Sequence, residues 1–233
     1  MVAPKYRIIG HGIYSLSDAQ RLTGVPARRI RRWTAGYLIT KQGVIKQSTP
    51  VIANHLSADL GIPALNFADL IEVRFLNAFR ELGVSMKAIR IASRRAKQIL
   101  GLSHPFSSQR FSTDRHTILA QFVTETGDDV MLDLVHSQYE LERLVSRYLV
   151  GEIEFNDRGQ PQRWRPFPES DRIVIDPARA FGAPILDAEG IQTLVLARAV
   201  QAEGSVEGVA KMFNVDPAAV DVAYRYEVSR AEL

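Results

Sequence analysis

The sequence contains no cysteine. That excludes a disulfide framework, a thiolate zinc site and a cysteine nucleophile. Long apolar runs are also missing. The most apolar helical stretch, Ile191 to Val200, is short and carries Arg198, too little to span a bilayer. The first twenty residues hold no apolar run of signal-peptide type, so a cytoplasmic protein is expected. There is no phosphate loop, no dinucleotide-binding glycine motif and no nucleophile elbow. The five histidines (His11, His55, His104, His116, His136) show no ligand spacing. Asp128, Asp129 and Asp133 have no His or Glu completing a ligand set, and two of them read as turn residues. No catalytic constellation, metal or cofactor is therefore expected, and the chain reads as a non-enzyme.

Acidic residues are scarce in one region only. Residues 1–101 hold 16 Lys+Arg against 5 Asp+Glu, a net of +11. Residues 102–170 and residues 171–233 each carry a net of −4. A chain of 233 residues with 46% hydrophobic and 24% charged content is globular and long enough for two or three units. The charge split divides it into a basic head (1–101), a small α/β connector (102–170) and an acidic tail (171–233). The head suits a polyanion and the tail does not. The expected fold class is mainly α with small β elements: a winged helix-turn-helix, the connector, and a β-hairpin with three helices.

In the head, Ser15 or Ser17 caps a helix over about Asp18 to Thr23, with Ala19 and Leu22 inward. Gly24-Val25-Pro26 breaks it, and a second helix, ARRIRRWTA, runs over 27–35. Ile30 and Trp33 share its inner side, while Arg28, Arg29, Arg31 and Arg32 surround the remainder. Two helices joined by a short glycine turn form the helix-turn-helix pattern. Leu38 to Thr40 and Val44 to Lys46 then make a wing hairpin in which Lys41 and Lys46 suit phosphate contact. Asn66 caps a helix with Phe67, Leu70, Ile71, Phe79 and Leu82 on one stripe. Ser85 caps the next, with Ile89, Ala92, Ala96 and Ile99 inward and Lys87, Arg90, Arg94, Arg95 and Lys97 outward.

These segments resemble MerR-type winged helix-turn-helix proteins. The resemblance rests on Tyr14-Ser15-Leu16-Ser17-Asp18-Ala19, Gly24-Val25-Pro26, Ile30-Arg31-Arg32-Trp33 and Gly36-Tyr37-Leu38, with ELGVSMKAIR supporting the second helical pair. It implies that Arg31, with Trp33 or its neighbour, docks on DNA phosphate. Arg32 departs from the pattern, which has an aromatic residue there. With Tyr37 from the same motif, the expected DNA-contact set is Arg28, Arg29, Arg31, Arg32, Tyr37, Lys41 and Lys46. Such readers are usually dimeric, so a homodimer is expected.

In the connector, Phe111 to Val123 and Val130 to Leu134 alternate as strands do, and Tyr139 to Leu149 has a helical period. Ile153 to Phe155 and Arg163 to Arg165 flank the turn Asn156 to Gly159 as a hairpin. In the tail, Arg172 to Pro177 and Phe181 to Leu186 form an antiparallel pair. Asp187 caps a helix with Ile191, Leu194, Val195 and Val200. Ser205 and Asp216-Pro217 open two more. Their outward residues include Glu207, Asp216, Asp221 and Glu227 against Lys211 and Arg225, and a unit at net −4 is repelled by phosphate, so this end should bind something other than DNA.

The tail resembles a small domain of bacterial antitoxins found beside toxins of the PIN-like nuclease type. Ile175-Asp176-Pro177, Gly182-Ala183-Pro184-Ile185, Gly204-Ser205-Val206-Glu207 and Val222-Ala223-Tyr224-Arg225-Tyr226 carry the likeness over about 55 residues. As a whole the chain looks like a Vap-type antitoxin with a helix-turn-helix head. That likeness implies operator DNA and a PIN-like ribonuclease toxin as partners. Such nucleases hold Mg²⁺ with clustered carboxylates. Arg172, Arg179 and Arg225 are the candidates for a competing, toxin-binding arginine. The alternative is a MerR-like regulator whose acidic part senses a small ligand.

Overall fold

The computed structural model describes residues 12–41, 44–137 and 152–231. Residues 14–100 form the head. Strand β1 (Tyr14–Ser15) leads into α1 (Leu16–Thr23), where the Ser15 side chain accepts from the Asp18 N–H and Asp18 accepts from Ser15 in return. Helix α2 (Ala27–Ala35) follows a left-handed Gly24. Strands β2 (Tyr37–Lys41) and β3 (Val44–Ser48) pair antiparallel as the wing. A short α3 (His55–Leu60) and β4 (Ala64–Leu65), paired with β1, close the return. Helices α4 (Phe67–Glu81) and α5 (Met86–Leu100) complete the unit, capped by Asn66 and Ser85 as their side chains dictate.

The connector departs from expectation. The segments read as strands at 111–123 and 130–134 are helical: α6 (Gln109–Ala120), α7 (Val123–Thr126) and α8 (Asp129–His136). Capping overrides the alternation. Ser108 accepts from the Phe111 N–H and Asp128 from the Met131 N–H. The buried positions Met131, Leu134 and Val135 then follow helical spacing, while Val130 of the alternating set is exposed. The helix expected at 139–149 lies outside the described residues.

A four-stranded antiparallel sheet comes next. It comprises β5 (Ile153–Phe155), β6 (Pro161–Trp164), β7 (Ile173–Ile175) and β8 (Pro184–Leu186), in that order. Trp164 opposite Ile175 joins the hairpin to the tail strands. Three helices close the chain: α9 (Thr193–Glu203), α10 (Val206–Phe213) and α11 (Pro217–Ala231). Asp187 does not cap α9, which begins six residues later with Gln192 at its cap and no side-chain bond. The Asp187 carboxylate is engaged by Arg179 and Arg165 instead.

Two hydrophobic cores result. One runs from Tyr14 through α4, α5 and α6–α8 to Trp164 and Ile175. At its centre Phe75, Phe79, Phe106 and Phe111 pack with centroid separations of 4.9–6.0 Å, mostly tilted or edge-to-face. The other lies in the tail, around Ile173, Leu196, Val209, Val220 and Tyr226, with Phe167 added from the connector. Among the described residues no helix is long and apolar enough to cross a membrane.

Candidate nucleic-acid interface

Helix α2 owes its orientation to two side chains. Ile30 and Trp33 are buried against α1 and the core, which turns Arg28, Arg29, Arg31 and Arg32 to solvent. Arg29 bonds the Asn77 Oδ1 of α4 at 3.0 Å. The Arg32 guanidinium lies 4.4 Å from the Tyr37 ring centroid, a cation–π contact that couples the helix to the wing. No carboxylate pairs with any of the four among the described residues. Four uncompensated guanidinium groups on one short helix repel one another, and a polyanion relieves that repulsion.

The wing is fixed relative to α2 by backbone geometry. Gly36 has φ +74°, and a Cβ there would lie 2.1 Å from the Ser48 carbonyl oxygen. Only glycine fits between helix and hairpin. The Val51 N–H donates to the Trp33 carbonyl at 2.8 Å, closing the end of α2. Lys41 and Lys46 lie on the two wing strands, opposite Val44 and Ile39 respectively. Tyr37 opens the first strand beside Arg32.

The cations of α5 divide. Arg90 donates to the Thr49 carbonyl, and Lys97 Nζ donates to the Val51 carbonyl at 3.0 Å. Both brace the base of the wing rather than facing outward. Arg95 pairs with Glu125 at 2.6 Å, leaving Lys87 and Arg94 exposed. The carbonyl acceptors lie more than forty residues from their donors, so no local sequence signal reveals them.

The three tail arginines are each engaged within the fold. Arg172 binds Asp216 at 2.8 Å, and this contact holds the Asp216 carboxyl below its ordinary pKa. Arg179 binds Asp187 through both carboxylate (2.8 Å) and backbone carbonyl (2.7 Å). Arg225 binds Asp221 at 2.9 Å and Glu169 at 3.1 Å. Arg172 and Arg225 remain about half exposed, whereas Arg179 is tied down in its loop. Sequence reasoning also missed how the tail sits on α1. Glu227, expected to face outward, is buried: Arg21 binds it at 3.0 Å, and it accepts from the Thr193 hydroxyl at 2.5 Å. Gly182, at φ +82°, packs against Tyr14 so closely that a Cβ would lie 2.2 Å from the phenol oxygen.

Comparison with known proteins agrees with this layout. The family described as "Putative DNA-binding HTH domain" matches residues 12–93, which include α1, α2, the wing and α4. A protein of Mycobacterium tuberculosis named "Putative antitoxin VapB45" is 28% identical over 215 residues, 88% of this chain and 89% of that protein. The X-ray crystal structure of Rv2018 from Mycobacterium tuberculosis superposes with a TM-score of 0.70 at 27% identity. That match covers 90% of this chain and 96% of the other.

Proposed function

We propose that the chain is the antitoxin of a type II toxin–antitoxin pair. Its head binds operator DNA and its tail binds and neutralises a PIN-like ribonuclease. The observation that carries the first half is the exposed four-arginine face of α2, which has no acidic partner among the described residues. Arg28, Arg29, Arg31 and Arg32 contact phosphate and base edges in the major groove. Tyr37, Lys41 and Lys46 place the wing on the flanking backbone. A homodimer brings two such heads to successive half-sites.

The likeness to an antitoxin over nearly the full length of both chains supports the second half. The tail carries its own core and an acidic exterior, which disfavours phosphate and leaves a protein as its partner. Arg172 and Arg225, exposed and paired with surface carboxylates, can exchange those partners for acidic groups of a nuclease site at small cost. Arg179 serves to hold its loop. DNA and RNA as the objects of regulation place this work in the cytoplasm. The test is co-expression with the product of the adjacent gene. An equimolar complex without ribonuclease activity is the expected result. Free nuclease activity in the equimolar mixture overturns the reading.

A further inference from the structure

A hollow of about 250 Å³ opens where four separate parts of the chain meet, the fourth contributing Pro177. Asn66 and Phe67 from the start of α4 form one wall. Leu102, His104 and Ser107 from the loop before α6 form another. Arg158, on the turn between β5 and β6, stands at its edge. Sites for drug-sized ligands run from roughly 300 Å³ upward, so this one suits a smaller molecule.

Its chemistry is divided. Phe67 and Leu102 offer apolar surface. Asn66 caps α4 through Oδ1, and no bond to its amide NH₂ is seen among the described residues. His104 is held from behind: Nε2 lies 2.7 Å from the fully buried Asp69 and Nδ1 lies 3.0 Å from the Ser103 hydroxyl. Burial works against a charged ring, but the Asp69 bond and the nearby carboxylates outweigh it and raise the His104 pKa. Asp69 itself lies behind the histidine and is not part of the lining.

Arg158 is the unusual member. Its neighbours Arg163, Arg165, Arg172 and Arg179 all have carboxylate partners. The Arg158 side chain has neither a hydrogen bond nor an ion pair among the described residues. A guanidinium presents a planar fork suited to a carboxylate. A free one at the edge of a half-apolar hollow is placed to take a carboxylate. We propose that this hollow binds a small organic carboxylate, its charge held by Arg158 and Asn66 and its apolar body against Phe67 and Leu102. The site is separate from the recognition helix and does not depend on the antitoxin reading.

The test uses the full chain and three probes measured by calorimetry: benzoate, its neutral analogue benzyl alcohol, and inorganic phosphate. Benzoate is expected to bind saturably, near one per chain, in the millimolar range or tighter. Arg158→Gln should weaken it about tenfold or more, as removal of a charge-assisted bond does. Arg158 is exposed, so the variant should unfold at the wild-type temperature. Benzyl alcohol should bind no better than benzoate binds the variant. Absence of saturable benzoate binding, or equal affinity in wild type and variant, overturns the proposal. Phosphate competing as strongly as benzoate also overturns it, by making the site one for inorganic anions.

Discussion

Helix α2 and the tail use arginine in opposite ways. In the tail and its sheet, Arg163, Arg165, Arg172, Arg179 and Arg225 fold back onto carboxylates, and the ion pairs knit loops to strands and helices. In the head, the arginines of α2 point outward with no carboxylate partner among the described residues, while two of its few acids, Asp69 and Glu72, are fully buried. The difference separates two roles for the same side chain. Paired arginines contribute to the fold, and exposed pairs of this kind are worth roughly 1 kcal/mol or less. Unpaired ones weaken the fold slightly by mutual repulsion and are available to a partner. Net charge alone shows that the two ends differ. Pairing shows which cations are free to act.

Breaking the head should therefore be far more costly to binding than breaking the tail. Replacing Arg28, Arg29, Arg31 and Arg32 together with alanine is expected to weaken operator binding at least about a hundredfold, since charge-assisted bonds contribute on the order of 1.5–3 kcal/mol each. The dependence of log affinity on log salt should flatten by about 0.9 for each phosphate that the variant no longer neutralises. Filter binding across a salt series reads both. Stability should hardly change, because none of the four is buried. An unchanged slope removes α2 from the interface.

The second effect concerns the joint between helix and wing. Gly36→Ala puts a Cβ against the Ser48 carbonyl at a backbone angle that L residues rarely adopt. It should destabilise the chain by on the order of 3 kcal/mol, read by thermal unfolding. A wild-type melting temperature would show that the wing can shift freely.

The third effect concerns the contrast in buried acids. Glu227 in the tail has Arg21 as partner. Glu72 in the head accepts one N–H, from Phe106, and its second oxygen is buried without a hydrogen bond. Burial pushes its pKa up to about 7 from 4.5, against the lowering pull of His104 and Lys97. A carboxyl raised in the folded state favours folding below its unfolded pKa, and that contribution disappears as pH rises through the folded value. The window is about pH 4.5 to 7, and the His104 shift has the same sign. The melting temperature of the wild type should fall across this window. Glu72→Gln, which keeps an acceptor for the Phe106 N–H, should flatten the fall. Parallel profiles for the two proteins would remove Glu72 as its source.

Much of the fold is legible in the sequence where the signal is local. The caps at Ser15, Asn66 and Ser85, the Gly24 turn, and the Ile30–Trp33 spacing are short-range patterns, and the head follows them. The connector misleads because Val130, Leu132 and Leu134 alternate like a strand, whereas the caps at Ser108 and Asp128 decide the outcome. In the tail, Asp187 looks like a cap, but arginines from two other segments claim it. Pairings such as Arg21 with Glu227, 206 residues apart, have no local signature at all. The same holds for the hollow beside Arg158, where α4, the loop before α6, the β5–β6 turn and Pro177 converge.

The most direct measurement is photocrosslinking of the full chain to duplex DNA from upstream of its own gene, followed by peptide mapping. Crosslinks are expected only in α2, the wing and the exposed cations of α5. Crosslinks concentrated in residues 171–231, with α2 left unmodified, would contradict DNA binding by the head.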